Sequence, residues 1–283
     1  SKSNIGSFGG AFNGTIIDSV SYATVYGVNN VGGLIGIKGQ SMGPCRVYDS
    51  EFHGTVEATG TYAGGIIGSG YYGKGTAPNT PCVTIQDCLV TGAVQGRDYV
   101  GGILGGEPGC EQNWVNGIGR IQNNLFAGTI QASGSNVGGT IGYLTSLNRF
   151  NIVSNNFFAE GSGATKGIGR IKNIDISSER FGRTDKPADE DADKLAKAAT
   201  AVELGDGTTL AALNSGVNSS GNWIQGFAHP ERGSGKYLRS LIIAGYENKR
   251  YTTDDVVDFD GMSATAIYSD NSTEAVTGVV YTG

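Results

Sequence analysis

Apolar positions recur along this chain at two spacings at once. Over short runs they fall on every second residue, as in Phe52, Gly54 and Val56 or Val90, Gly92 and Val94, the period of a strand with one face buried. Over long distances the same runs align without gaps into columns. Val20, Glu51, Leu89, Leu125 and Phe157 form one column, Ser21, Phe52, Val90, Phe126 and Phe158 the next, and Val25, Val56, Val94 and Ile130 a third. Each run is opened by a polar corner, at Asp18, Asp49, Asp87, Asn123 or Asn155, and four are followed by a glycine block. The blocks read Val31-Gly32-Gly33-Leu34-Ile35-Gly36, Ala63-Gly64-Gly65-Ile66-Ile67-Gly68, Val100-Gly101-Gly102-Ile103-Leu104-Gly105 and Val137-Gly138-Gly139-Thr140-Ile141-Gly142.

The doublets start 32, 37 and 37 residues apart. Such a step is too long for a hairpin ladder and suits a coil of two or three short strands per turn, stacked in parallel on its neighbours at ~4.8 Å. The fold class expected is therefore all-β, a parallel β-solenoid (β-helix) of about five rungs over residues 1–181. In that fold the glycines are structural, admitting a close backbone approach once per coil. The corner column Asp18, Asp49, Asp87, Asn123, Asn155 becomes a ladder whose side chains bond the next rung's backbone, and its drift from Asp to Asn limits like-charge repulsion. The fifth copy is altered: Gly167-Ile168-Gly169-Arg170-Ile171 stands in its glycine block and repeats Gly117-Ile118-Gly119-Arg120-Ile121 letter for letter.

Residues 182–247 read as a mixed cap. A helix is expected from Asp189 to about Val202, acids first and lysines later, and a second from Thr208 to Asn214, together covering the open strand edges of the last rung. Residues 248–283 form a third, β-rich segment.

Composition narrows the function classes. Among 283 residues there are 48 glycines, six prolines and 16% charged residues, which excludes collagen and suits a fold built from turns and close approaches. A net charge of −6 without a basic stripe argues against nucleic acid, and no apolar run approaches the ~20 residues of a membrane span. Abundant Asn, Thr, Ser, Gly and Tyr with four cysteines suit an extracellular, secreted or surface-attached protein, monomeric as this piece.

Candidate chemistry is sparse. His53 shares a variable column with Tyr22, Thr91, Ala127 and Ala159, and His229 precedes Pro230, so no nucleophile–base pair is suggested. The acidic tracts 185–193 and 254–260 lack the ligand spacing of a calcium loop; neither metal nor cofactor is expected. Asp18, Asp49 and Asp87 would stack near one edge, where two neighbours could act as an acid–base pair, the basis of an alternative reading as a polysaccharide lyase or glycosidase. Cys45, Cys82, Cys88 and Cys110 allow three disulfide pairings, or none. The segments between glycine block and corner differ in length: Gly36 to Asp49 spans 13 positions, Gly68 to Asp87 19, Gly105 to Asn123 18 and Gly142 to Asn155 13. The two long ones should project from one side, carrying Tyr71, Tyr72, Glu107, Asn113 and Trp114, the aromatic and polar mixture of a sugar- or protein-binding patch.

Units such as Ile85-Gln86-Asp87-Cys88, Gly92-Ala93-Val94 and Tyr99-Val100-Gly101-Gly102-Ile103-Leu104-Gly105 resemble the GLUG repeats of bacterial cell-surface proteins, over about residues 5–175. The stretch from Leu210 to Leu238 is similar to the segment that often closes such arrays. Residues Phe259 to Thr277 resemble the first half of a bacterial Ig-like domain, so the native chain is expected to continue past Gly283. What the resemblance implies is a non-catalytic adhesive or structural module, with host glycan or extracellular protein as partner; the peptidase motif His-Glu-x-x-His of some relatives is absent.

Overall fold

Alternation along each short strand sends Val25, Val56, Val94 and Ile130 inward, and all four are buried in one column. The structure, a computed structural model, describes residues 2–39, 43–70, 81–106, 118–145, 152–172, 195–233, 238–244, 263–268 and 273–276. It is an all-β parallel solenoid, as the periodicity predicts.

A strand β1 (Gly9–Phe12) precedes a first turn of β2 (Gly14–Ile17), β3 (Val20–Ser21), β4 (Thr24–Gly27), β5 (Val31–Gly32) and β6 (Ile35–Lys38). The second turn repeats these as β7 (Cys45–Tyr48), β8 (Glu51–Phe52), β9 (Thr55–Ala58), β10 (Thr61–Gly64) and β11 (Ile67–Ser69). The third has β12 (Pro81–Gln86), β13 (Leu89–Val90), β14 (Ala93–Gly96), β15 (Asp98–Gly101) and β16 (Leu104–Gly106). The fourth has β17 (Ile118–Gln122), β18 (Leu125–Phe126), β19 (Thr129–Ala132), β20 (Val137–Gly138) and β21 (Ile141–Thr145). Like strands pair in parallel, giving five sheets, I to V in order around the coil, headed by β2, β3, β4, β5 and β1 with β6. A partial fifth turn adds β22 (Ile152–Ser154) to sheet I, β23 (Asn156–Ala159) to sheet II and β24 (Ile168–Lys172) to sheet V. The rung count is thus slightly below five, and each complete turn holds five short strands rather than two or three. The glycine block itself is split between sheets IV and V.

The corners and the glycine blocks work differently. Asp18, Asp49, Asp87, Asn123 and Asn155 all have left-handed backbone, with φ from 45 to 56°. Short polar side chains tolerate that region best, which is why the column is Asp or Asn at every rung. The second glycine of each doublet instead admits a neighbour: a Cβ on Gly33 would lie 2.0 Å from the Gly65 carbonyl oxygen and 2.5 Å from the Phe52 ring, and one on Gly102 would lie 2.3 Å from Phe126. The doublets therefore make room for the inward column Phe52, Val90, Phe126, Phe158 on the opposite side of the coil.

The expected helix over 189–202 is corrected in its described part. Ala196–Ala199 is a strand, β25, that adds to β23 in sheet II. Ala-Lys-Ala-Ala favours helix, but the last rung presents an open row of backbone donors and acceptors, and pairing with it outweighs a few tenths of a kcal/mol of propensity per residue. Two short helices follow, α1 (Ala201–Gly205), opened by a Thr200/Glu203 capping box, and α2 (Thr208–Ser215), where the second helix was expected. A hairpin of β26 (Trp223–Gln225) and β27 (Pro230–Arg232) comes next. Beyond it, β28 (Leu238–Ala244), β29 (Ser263–Tyr268) and β30 (Thr273–Val276) make an antiparallel sheet.

Candidate functional site

The outward face of sheet II sets the place of everything after β25. Its outward column is Val20, Glu51, Leu89, Leu125 and Phe157; Leu89, Leu125 and Phe157 are buried although they point away from the solenoid core. They belong to a second apolar cluster with Ala199, Leu204, Leu213 and Trp223. Residues 199–232 therefore do more than cap the end. They run back along the side of the coil as a brace, from the fifth rung towards the second. Val20, on the first rung, is left exposed.

The brace is fastened to the corner column. Asn155 Nδ2 donates to the Ala212 carbonyl at 2.8 Å and to Asn123 Oδ1 at 2.9 Å, and Asn123 Nδ2 donates to the Val217 carbonyl at 3.2 Å. Gly216 lies so close over this pair that a Cβ there would sit 2.0 Å from Asn123 Oδ1. One rung back, the carboxylate of Asp87 accepts from Trp223 Nε1 at 3.2 Å, the Ser220 amide at 3.0 Å, Ser219 Oγ at 3.1 Å and Gln86 Nε2 at 3.1 Å. One rung further, Asp49 accepts from Ser220 Oγ at 2.7 Å and from Arg232 Nη2, whose guanidinium carbon stands 4.6 Å from the centre of the Trp223 ring. Asp18 is exposed on the first rung.

This changes the role expected of the corner ladder. The residues that bond the neighbouring rung's backbone are the next ones along. Asn124 Oδ1 accepts from the Cys88 amide at 2.9 Å while its Nδ2 donates to the Ile85 carbonyl at 3.0 Å, and Asn156 repeats this with the Asn124 amide and the Ile121 carbonyl. These inner amides are buried. The corner residues Asp49, Asp87, Asn123 and Asn155 face outward and hold the brace.

Cys45 and Cys88 are free, buried thiols, so the disulfide pairings that use either are not formed. Burial pushes both up to about 12, for Cys45 against a smaller opposing effect of Lys38. Cys82 is buried too, and Cys110 lies outside the described residues. His53 confirms its column: its ring stacks on Tyr22 at 5.0 Å, and its two nitrogens meet Thr91 Oγ1 at 2.6 Å and Glu51 Oε2 at 2.9 Å. Among the described residues no cluster of His, Cys, Asp or Glu is arranged to hold a metal ion, and no helix is long and apolar enough to cross a membrane.

The loop-side residues Tyr71, Tyr72, Glu107, Asn113 and Trp114 lie outside the described residues. Their points of departure do not: β11 and β16 are neighbours in sheet V, so both long segments leave the coil from adjacent rungs. Beside these strand ends Tyr62, Tyr99 and Tyr143 form a stack, with ring centres 4.8 and 5.0 Å apart, and the Arg170 guanidinium lies 5.8 Å from the Tyr143 ring centre. Tyr62 and Tyr99 hold left-handed backbone, φ 65 and 57°, a conformation unusual for bulky residues. The chain matches no protein-family model, no curated protein and no solved structure. Function therefore rests on the geometry and on the repeats themselves.

Proposed function

We propose that this chain is an extracellular, non-catalytic structural or adhesive module of a bacterial surface protein, binding host glycan or protein through the long segments on one side of the solenoid. The observation that carries this reading is the commitment of Asp49 and Asp87. Stacked carboxylates on a β-helix would be the natural acid–base pair for cleaving a polysaccharide, but a catalytic pair needs open access to the scissile bond. Here both carboxylates are occupied by donors from the brace, and Asp87 is fully buried beneath it.

Two further features support it. The glycine-block units resemble GLUG repeats, which implies the surface location and the lack of chemistry. The Tyr62–Tyr99–Tyr143 stack lies along the strand ends from which the segments bearing Tyr71, Tyr72 and Trp114 emerge. A glycan and mucin binding screen tests the proposal, run on the wild-type chain and on Tyr71→Ala, Tyr72→Ala and Trp114→Ala. Binding lost in at least one variant is the expected result; binding unchanged in all three removes the loop side from consideration. Turnover of any polysaccharide in a parallel depolymerisation assay would overturn the non-catalytic reading.

A further inference from the structure

A second surface, on a different side of the coil, carries unspent hydrogen-bonding capacity. Outward of the buried column Val25, Val56, Val94, Ile130 runs the column Tyr26, Glu57, Gln95, Gln131, paired rung to rung in sheet III. With Thr59 and Ser133 these side chains line a shallow groove of about 420 Å³ at the turn from sheet III to sheet IV. The long loop-side segments leave the coil from the turn between sheets V and I.

Stacked amides usually satisfy one another, as Asn155 and Asn123 do at 2.9 Å. In the groove the side-chain amides of Gln95 and Gln131 make no hydrogen bond to any described residue, and neither do the Glu57 carboxylate, the Tyr26 hydroxyl or the side chains of Thr59 and Ser133. Two primary amides offer donors and acceptors side by side, Glu57 offers acceptors, and Tyr26, 58% exposed, offers a ring face at the first-rung end.

We propose that this groove binds an uncharged, extended β-linked glycan lying across the rungs. Hydroxyl-rich chains use mixed donors and acceptors with an aromatic face on which a pyranose ring can rest. The rung spacing of about 4.8 Å is close to the length one sugar unit adds to such a chain, so successive units would meet equivalent side chains. Glu57 at the second rung and the lack of any lysine or arginine in the lining disfavour an acidic polymer. A protein partner would call for buried aromatic or arginine anchors, and the groove offers one tyrosine in an open polar strip. This site is independent of the loop-side reading and stands or falls separately.

Isothermal titration calorimetry of the full chain against cellohexaose, xylohexaose and hexa-N-acetylchitohexaose, with polygalacturonate as the acidic comparison, tests it. At least one neutral hexasaccharide should bind. Tyr26→Ala and the double variant Gln95→Ala/Gln131→Ala should each weaken binding roughly tenfold or more, with unchanged melting temperatures because none of these side chains is in the core. The loop variants Tyr71→Ala, Tyr72→Ala and Trp114→Ala should bind the same oligosaccharide as wild type. Failure of all three neutral probes, preference for polygalacturonate, or binding undiminished by the groove substitutions would each overturn the proposal.

Discussion

The Trp223 indole donates to Asp87 Oδ1 at 3.2 Å, across 136 residues of chain, and so joins the brace to the third rung of the solenoid. The ring is 2% exposed and packs in the outer apolar cluster with Leu89, Leu125 and Leu213. Trp223→Ala should therefore cost about 3–5 kcal/mol, the range for emptying a buried aromatic site. Trp223→Phe, which keeps most of the packing and leaves one carboxylate lone pair unmet, should cost about 1–3 kcal/mol. Urea denaturation measures both; equal costs would mean that the bond, and not the packing, holds the brace.

Asp49 and Arg232 form a pair whose guanidinium is buried, with Nε and Nη1 lacking partners among the described residues. Removing one charge leaves the other uncompensated at low dielectric, a loss of about 3–5 kcal/mol for Asp49→Asn, which retains the corner's left-handed preference. Replacing both, as Asp49→Asn/Arg232→Met, should recover much of that loss. A double-mutant cycle in denaturant gives the coupling, and additive costs would remove the pair from the account.

Thr140 stands where the other glycine blocks have Leu34, Ile66 and Ile103. It is fully buried, and its hydroxyl has no hydrogen-bond partner among the described residues. Thr140→Val keeps the shape and removes the orphan, and should stabilise the chain by about 1–3 kcal/mol. A higher denaturation midpoint with an unchanged slope is the expected reading; a lower midpoint would mean that the hydroxyl is satisfied in solution.

With Cys45 and Cys88 pushed from 9.0 up to about 12 by burial, neither should be alkylated at pH 8 in the folded state, and both should react once denaturant is added. Mass mapping of iodoacetamide adducts checks this. The sign for stability follows. A thiol whose pKa is raised on folding keeps its proton longer in the folded state, so its contribution is whole below pH 9 and declines as pH rises from 9 through about 12. Cys45→Ser should not remove that decline entirely, because Cys88 shares it.

The solenoid was legible because its rule is local and repeated: period-two strands, an Asp or Asn corner, a glycine doublet. The brace was also written in the columns. Two adjacent apolar columns, Leu89-Val90, Leu125-Phe126 and Phe157-Phe158, point to opposite faces of one strand, and an outward Leu or Phe needs a cover. Reading the run 189–202 as helix alone hid that cover, since the alanines of 196–199 follow their helical propensity only until an open sheet edge is beside them. Identical residues can likewise serve different sheets: Gly119-Arg120-Ile121 lies in sheet I, whereas Gly169-Arg170-Ile171 lies in sheet V. The groove residues Tyr26, Glu57, Gln95 and Gln131 gave less warning. They occupy ordinary outward positions of period-two strands, and nothing in the sequence marks them as lining one groove.

That the corner acids serve the fold, with residues 201–232 as an integral brace, is tested most directly by native-state hydrogen exchange of the intact chain, read by mass spectrometry. Amides of α1, α2 and β26 should be protected to nearly the same degree as those of β12 and β17, because they open together with the rungs they cover. Exchange of 201–232 at the rate of a free peptide, while β12 and β17 stay protected, would contradict the account and return Asp49 and Asp87 to solvent.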